Sequence, residues 1–153
     1  MLLKILKGSH KSFRFPKFSA KKEIKGTVKF LGNFSYKINT QYDTNKLIGL
    51  SDNWHHLKDS VRIGWRWYRE ELQIMSLIHR QGKIEINYLM TIRENKEYSF
   101  SIKIEKNSYI ILFDGQKFDF ERSSRWDCLR YYLFPYFGGK NKAPKEFKFE
   151  IKL

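Results

Sequence analysis

Side chains alternate apolar and polar with a period of two in one segment after another, and this rhythm limits the fold more than any other feature. Along 61–68, Val61, Ile63, Trp65 and Trp67 point one way, and Arg62, Gly64, Arg66 and Tyr68 the other. Along 98–105, Tyr98, Phe100, Ile102 and Ile104 alternate with Ser99, Ser101, Lys103 and Glu105. Phe147, Phe149, Ile151 and Leu153 repeat the pattern against Lys148, Glu150 and Lys152. Successive side chains of an extended strand face opposite sides of its sheet, so each run predicts a strand with one buried face. Ile84, Ile86, Tyr88, Met90 and Ile92 also hold every second position, which predicts that all five face inward. The wholly apolar run 109–113 reads as a strand covered on both faces.

The connections agree with strands. Asp114-Gly115 and Gln81-Gly82 have the form of two-residue hairpin turns, because glycine accepts the positive φ such turns need. Arg69-Glu70 joins 61–68 tightly to an apolar partner at 72–78. Phe34, Tyr36 and Ile38 predict a further strand, and 39–45 a polar loop. Phe13 and Phe15 predict an edge segment that Pro16 ends. Residues 1–9 read as a tail or an added edge strand. The stretch 121–128 lacks the two-residue rhythm and reads as a short helical turn. About eleven strands at this spacing predict a single all-β domain over 1–153. The expected form is a two-sheet antiparallel β-sandwich of jelly-roll, concanavalin-like type, with a closed barrel as the alternative.

A chain of 153 residues can bury a core without covalent staples. The single cysteine, Cys128, excludes an intramolecular disulfide, and no Cys or His spacing matches a zinc site. No secretory leader and no membrane-spanning apolar run is evident, so the expectation is a cytoplasmic site of synthesis, with packaging into a particle as a route out. No cofactor is expected: Gly138-Gly139-Lys140 lacks the spacing of a phosphate-binding loop. Thirty Lys and Arg against sixteen Asp and Glu leave a net charge of +14, a field that attracts polyanions. The expected partners are an anionic glycan or an acidic protein surface, with nucleic acid through non-specific charge and a homo-oligomer or particle assembly as further possibilities. Arg125, Trp126, Arg130, Tyr131 and Tyr132 mix cations with rings in a way that suits single-strand stacking.

The candidate site centres on the turn before 61–68. Trp54 stands at a polar tip, where a ring can stack on a sugar or base. His55, His56 and Lys58 follow it, and Asp59 is placed to pair with Arg62. Arg62 and Arg66 flank Gly64, which predicts a basic notch for carboxylate, sulfate or phosphate. Tyr136 and Asn141 are expected to form a second wall.

Two segments carry a resemblance. They are Gly49-Leu50-Ser51-Asp52 with His55-His56, Asp59-Ser60, Arg62 and Gly64-Trp65-Arg66, and Pro135-Tyr136-Phe137-Gly138-Gly139 with Ala143-Pro144. Together they resemble a family of small, uncharacterised β-rich proteins of bacteria and phages whose layout is similar to concanavalin-like jelly rolls. The likeness spares the first forty residues and implies the fold rather than an activity. In that family a His-Asp-like pair follows the Ala-Pro; Lys145-Glu146 stands here. The leading functional expectation is a non-enzymatic binding module for a glycan or other anionic ligand. The alternatives are a phage structural or decoration protein, and a lyase acting on an acidic polysaccharide with His55 or His56 and a tyrosine as base and acid.

Overall fold

The computed structural model describes residues 1–39 and 43–153, so Thr40, Gln41 and Tyr42 of the expected polar loop lie outside the described residues. Among the described residues, twelve strands form two six-stranded antiparallel sheets, the jelly-roll sandwich that the alternation predicts. One sheet runs in the order β1 (Leu2–Ile5), β12 (Phe147–Lys152), β3 (Glu23–Leu31), β8 (Glu97–Ile104), β9 (Ser108–Phe113) and β10 (Gln116–Glu121). The other runs β2 (Phe18–Ser19), β11 (Arg130–Leu133), β4 (Asn45–Ser51), β5 (Ser60–Tyr68), β6 (Glu71–Arg80) and β7 (Lys83–Ile92).

Trp65 of β5 is fully buried at the centre. Phe30, Phe34, Tyr36, Phe137, Phe147 and Phe149 surround it, with ring centroids 5.0 to 6.3 Å away and mostly edge-on. Rings at such angles bring their positive edges onto a neighbour's negative face, which adds to the burial of apolar area. The tight turns fall where expected: Arg69 and Glu70 take φ of 52° and 61°, Gln81 and Gly82 take 51° and 80°, and Asp114 and Gly115 take 47° and 82°.

Five local expectations need correction. In β9 the run 109–113 is covered on one face only: Tyr109, Ile111 and Phe113 are buried, but Leu112 is exposed. In β7, Ile84, Ile86 and Tyr88 are exposed on the outer face. The ladder to β6 shifts between Ile74 and Met75: Ile74 pairs with Met90, and Met75 with Tyr88. Leu89 is therefore an extra residue, and this bulge turns the first half of the strand over while leaving Ile92 inside. Phe34 and Tyr36 are buried as predicted, but 34–38 joins neither sheet. Phe13 and Phe15 belong to no strand and protrude into solvent. Finally, 122–127 is irregular rather than helical, because it delivers Arg122 and Ser124 to Asp52 at the end of β4.

Asp52 is wholly buried and ties the sheets together. It accepts hydrogen bonds from Arg122 Nε at 2.6 Å and Nη2 at 2.9 Å, from Arg130 Nη2 at 3.2 Å, and from the Tyr109 hydroxyl at 2.6 Å. Burial and the bond to Asp52 push the Tyr109 phenol well above its ordinary range, so it stays a donor. Arg130 is wholly buried in this knot, so of the basic and aromatic stretch 125–132 that residue is withdrawn from the surface.

Candidate functional site

A groove of about 610 Å³ opens on the outer face of the second sheet. Its floor carries Lys46 from β4 and Arg62 from β5; its walls are His56 and Leu57, Tyr131 to Tyr136, Gly138 and Gly139, and a strap from Lys11 to Pro16. The strap is held by the Ser12 N–H on Pro135 O at 3.3 Å and the Phe137 N–H on His10 O at 2.7 Å.

Arg62 is 7 % exposed. Its outward direction follows from the alternation in β5, and its low path over the sheet follows from Gly49, its ladder partner in β4. A Cβ at Gly49 would collide with Arg62 Cγ and stand 2.5 Å from Val61 O. Gly49→Ala is therefore expected to displace the guanidinium and to cost about 1–3 kcal/mol of stability, the usual size of an overpacking penalty. Thermal unfolding checks this; an unaltered Tm would show that the glycine is not what seats Arg62.

Arg62 Nη2 donates to Phe134 O at 3.1 Å, while Nε, also buried, has no partner among the described residues. None of the ion pairs among the described residues engages Arg62; Asp59, expected to pair with it, instead accepts from the Gln81 N–H at 3.1 Å and from Asn53 Nδ2 at 3.3 Å. Burial pushes the guanidinium pKa down to about 10. Lys46 Nζ donates to Gly138 O at 2.7 Å and lies 5.5 Å from the centre of the Tyr136 ring. Burial first, and then the nearby Arg62 charge, lower its pKa to about 8. The same two causes lower His56 to about 4 and also depress His79, whose Nδ1 is 3.2 Å from Ser60 Oγ. The groove thus concentrates positive charge in a partly dry setting, where an incoming anion is held more strongly than in water.

His56 and Tyr131 form a close pair. The Tyr131 hydroxyl accepts the His56 backbone N–H at 3.0 Å, lies 3.1 Å from His56 Nδ1, and donates to Trp54 O at 3.0 Å. With the hydroxyl proton directed to Trp54, Nδ1–H is the donor to Tyr131, and Nε2 keeps its lone pair. A neutral imidazole fixed in one tautomer can act as a general base.

Three of the expected residues, His56, Arg62 and Tyr136, meet in this groove. Trp54, His55 and Lys58 lie outside its lining, exposed on the turn, where the His55 carbonyl accepts the Lys58 N–H at 2.9 Å. Arg66 lies farther along β5, stacked 4.6 Å over Tyr68 with Nε donating to Gln73 Oε1 at 2.8 Å. The predicted notch between Arg62 and Arg66 is filled, since a Cβ at Gly64 would meet Leu77 Cδ1, Asn45 O at 2.5 Å and Thr44 Cγ2 at 2.8 Å. Asn141 does not line the groove; its carbonyl sits over Gly138, 2.7 Å from where a Cβ would be. Lys46 and Tyr131 complete the cluster without having been expected in it. The Gly49 facing Arg62 across adjacent strands was the available signal for a buried cation. Among the described residues, no group of three His, Cys, Asp or Glu is placed to hold a metal ion.

No family model matches this chain, and no curated protein matches it in sequence. Solved structures do match it in fold. The alginate lyase AlyC3 superposes with a TM-score of 0.68 at 12% identity, over 98% of this chain and 71% of that one. The alginate lyase PA1167 from Pseudomonas aeruginosa gives 0.59 at 11% identity, over 87% of this chain and 64% of that one. A laminarinase from Flavobacterium sp. UMI-01 gives 0.62 at 12% identity, over 98% of this chain and 75% of that one. The jelly-roll is thus shared with larger polysaccharide-degrading enzymes.

Proposed function

We propose that the groove binds an acidic, uronate-bearing polysaccharide and cleaves it by β-elimination. The observation that carries this reading is Arg62, a buried guanidinium without an ion-pair partner among the described residues, beside a His56 held neutral with Nε2 unprotonated. The fold shared with two alginate lyases supports it.

In this scheme Arg62 and Lys46 bind the uronate carboxylate and offset the charge that builds up on it as the proton at C5 is removed. His56 Nε2 takes that proton. The electron pair left at C5 forms the C4=C5 double bond, the C4–O4 bond breaks, and the leaving oxygen takes a proton from the Tyr136 hydroxyl. One glycosidic bond is lost and one unsaturated, uronate-ended product is gained, with no water consumed.

Ultraviolet absorbance of the new double bond, followed over a panel of polymannuronate, polyguluronate and pectate, tests the proposal. A rising signal that His56→Ala and Tyr136→Phe each reduce about a hundredfold or more is expected, the upper part of the usual contribution from one acid or base. Binding without product would return the groove to a binding module; neither binding nor product would remove the acidic-glycan reading altogether.

The same site predicts a bell-shaped pH dependence of kcat/KM. His56 must be neutral, so activity falls on the acid side near pH 4; Lys46 must be charged, so it falls again near pH 8. The His56 value also bears on folding. Its folded pKa lies below the unfolded value of about 6.5, so the unfolded chain binds more protons. The contribution of neutral His56 to stability is present above about 6.5 and lost as pH falls toward 4. A flat rate profile between pH 4 and 8.5, on the order of the range these two groups define, would contradict both roles.

A further inference from the structure

The first 22 residues hold seven Lys and Arg and no Asp or Glu, half of the net +14. The same segment exposes large apolar side chains. Phe13 and Phe15 are 87 % and 78 % exposed, packed edge to face with each other at 5.7 Å, and Leu2, Leu6 and Phe18 are each more than half exposed. The segment is ordered: β1 is laced to β12, Ile5 bridges Ser12, and Lys11 bridges Tyr136. Leu2, Lys4, Leu6, Lys11, Phe13 and Arg14 line one shallow recess, which places greasy and cationic groups side by side on one flank of the sandwich.

We infer that this flank docks the protein onto an anionic lipid surface. Exposed Phe and Leu cost free energy in water and gain it on entering the boundary between headgroups and acyl chains, while the lysines beside them meet lipid phosphates. The composition favours a lipid surface over other polyanions. Six of the seven cations are lysines, point charges suited to a diffuse negative surface rather than to fork-like recognition of one group. Leu2 and Leu6 offer no flat face for a base or a sugar. A second copy of the chain is disfavoured, because a twofold contact would set one all-positive segment against another. Most of the basic charge is not neutralised internally: among the described residues the segment's one ion pair is Lys22 with Asp127. Arg14 and Lys17 lean back over Phe134 and Tyr132, leaving the two protruding Phe rings to lead.

Flotation with vesicles of mixed phosphatidylcholine and phosphatidylglycerol, against phosphatidylcholine alone, tests this on the full chain. Partitioning onto the anionic vesicles is expected, weakening as salt is added. F13A/F15A should reduce it about tenfold or more, since each ring withdrawn loses its apolar burial, and K4E/K7E should reduce it by a similar factor. Both Phe side chains protrude, so F13A/F15A should keep the wild-type Tm. Lys11, Arg14 and Phe15 also border the groove, so the discriminating variant is Arg62→Met, which alters only the groove floor and should leave vesicle binding intact. No partitioning onto anionic vesicles, equal partitioning onto neutral ones, or an F13A/F15A protein that floats like wild type would overturn the inference. Retention of polyuronate or RNA through Phe13 and Phe15 in place of vesicles would overturn it equally.

Discussion

Arg62→Met is expected to weaken binding of a uronate oligosaccharide by roughly a hundredfold while leaving Tm unchanged or higher. The two effects have one cause. A guanidinium taken out of water without a carboxylate partner costs free energy, and replacing buried charge with an apolar side chain of similar length is often neutral or stabilising. The same desolvation makes that guanidinium a strong partner for an arriving carboxylate, where losing one charged, hydrogen-bonded contact costs about 2–5 kcal/mol. Arg62 is 7 % exposed, and its Nε has no partner among the described residues, so both arguments apply in full. Titration calorimetry with mannuronate oligomers, beside a thermal melt, reads the two quantities separately. A Kd within about threefold of wild type would remove Arg62 from the binding site. A fall in Tm with binding intact would make it a structural residue.

Asp52→Ala should be the most damaging single change to the fold. It removes the acceptor for Arg122, Arg130 and the Tyr109 hydroxyl together, and leaves two guanidinium groups with no balancing charge. Breaking a buried ion pair from one side costs about 3–5 kcal/mol, which for a chain of this size lowers Tm by roughly 10 °C or more. The groove should suffer as well, because Asp52 opens the turn that carries His56. A drop of less than about 3 °C would mean that the guanidinium groups find other acceptors or water.

The fold was legible wherever burial was one-sided. Val61, Ile63 and Trp65, Phe100, Ile102 and Ile104, and Phe149 and Ile151 all face the core as their alternation predicts. Alternation misled in β7 because a one-residue bulge inverts phase without leaving a mark in the spacing: Ile84 and Met90 sit an even number of residues apart yet on opposite faces. The candidate groove was legible in part for a related reason. His56, Arg62 and Tyr136 carry evident chemistry, so they were noticed. Lys46 heads an apolar run and reads as a strand's polar start, and Tyr131 sits among rings and cations that suggested a different surface. What unites them is β11 pairing with β4, a contact between residues about eighty positions apart that no local pattern encodes. Arg130 shows the converse, since a residue that looks solvent-ready in sequence is wholly enclosed.

The bulge at Leu89 also bears on how the molecule keeps to itself. Two ladders leave four open margins, and each is poorly suited to recruiting a neighbour. β1 and β2 are four and two residues long. β10 sets Lys117, Asp119 and Glu121 along its rim. β7 is the longest at ten residues and carries exposed isoleucines, which alone would invite end-to-end stacking into fibres. Its irregular step breaks the straight run of unpaired amides after Tyr88, so a stray strand would lose register partway along. Excising Leu89 would smooth that rim, and a protein that then precipitates on standing, while still melting cooperatively, is the expected sign that the defect guards solubility.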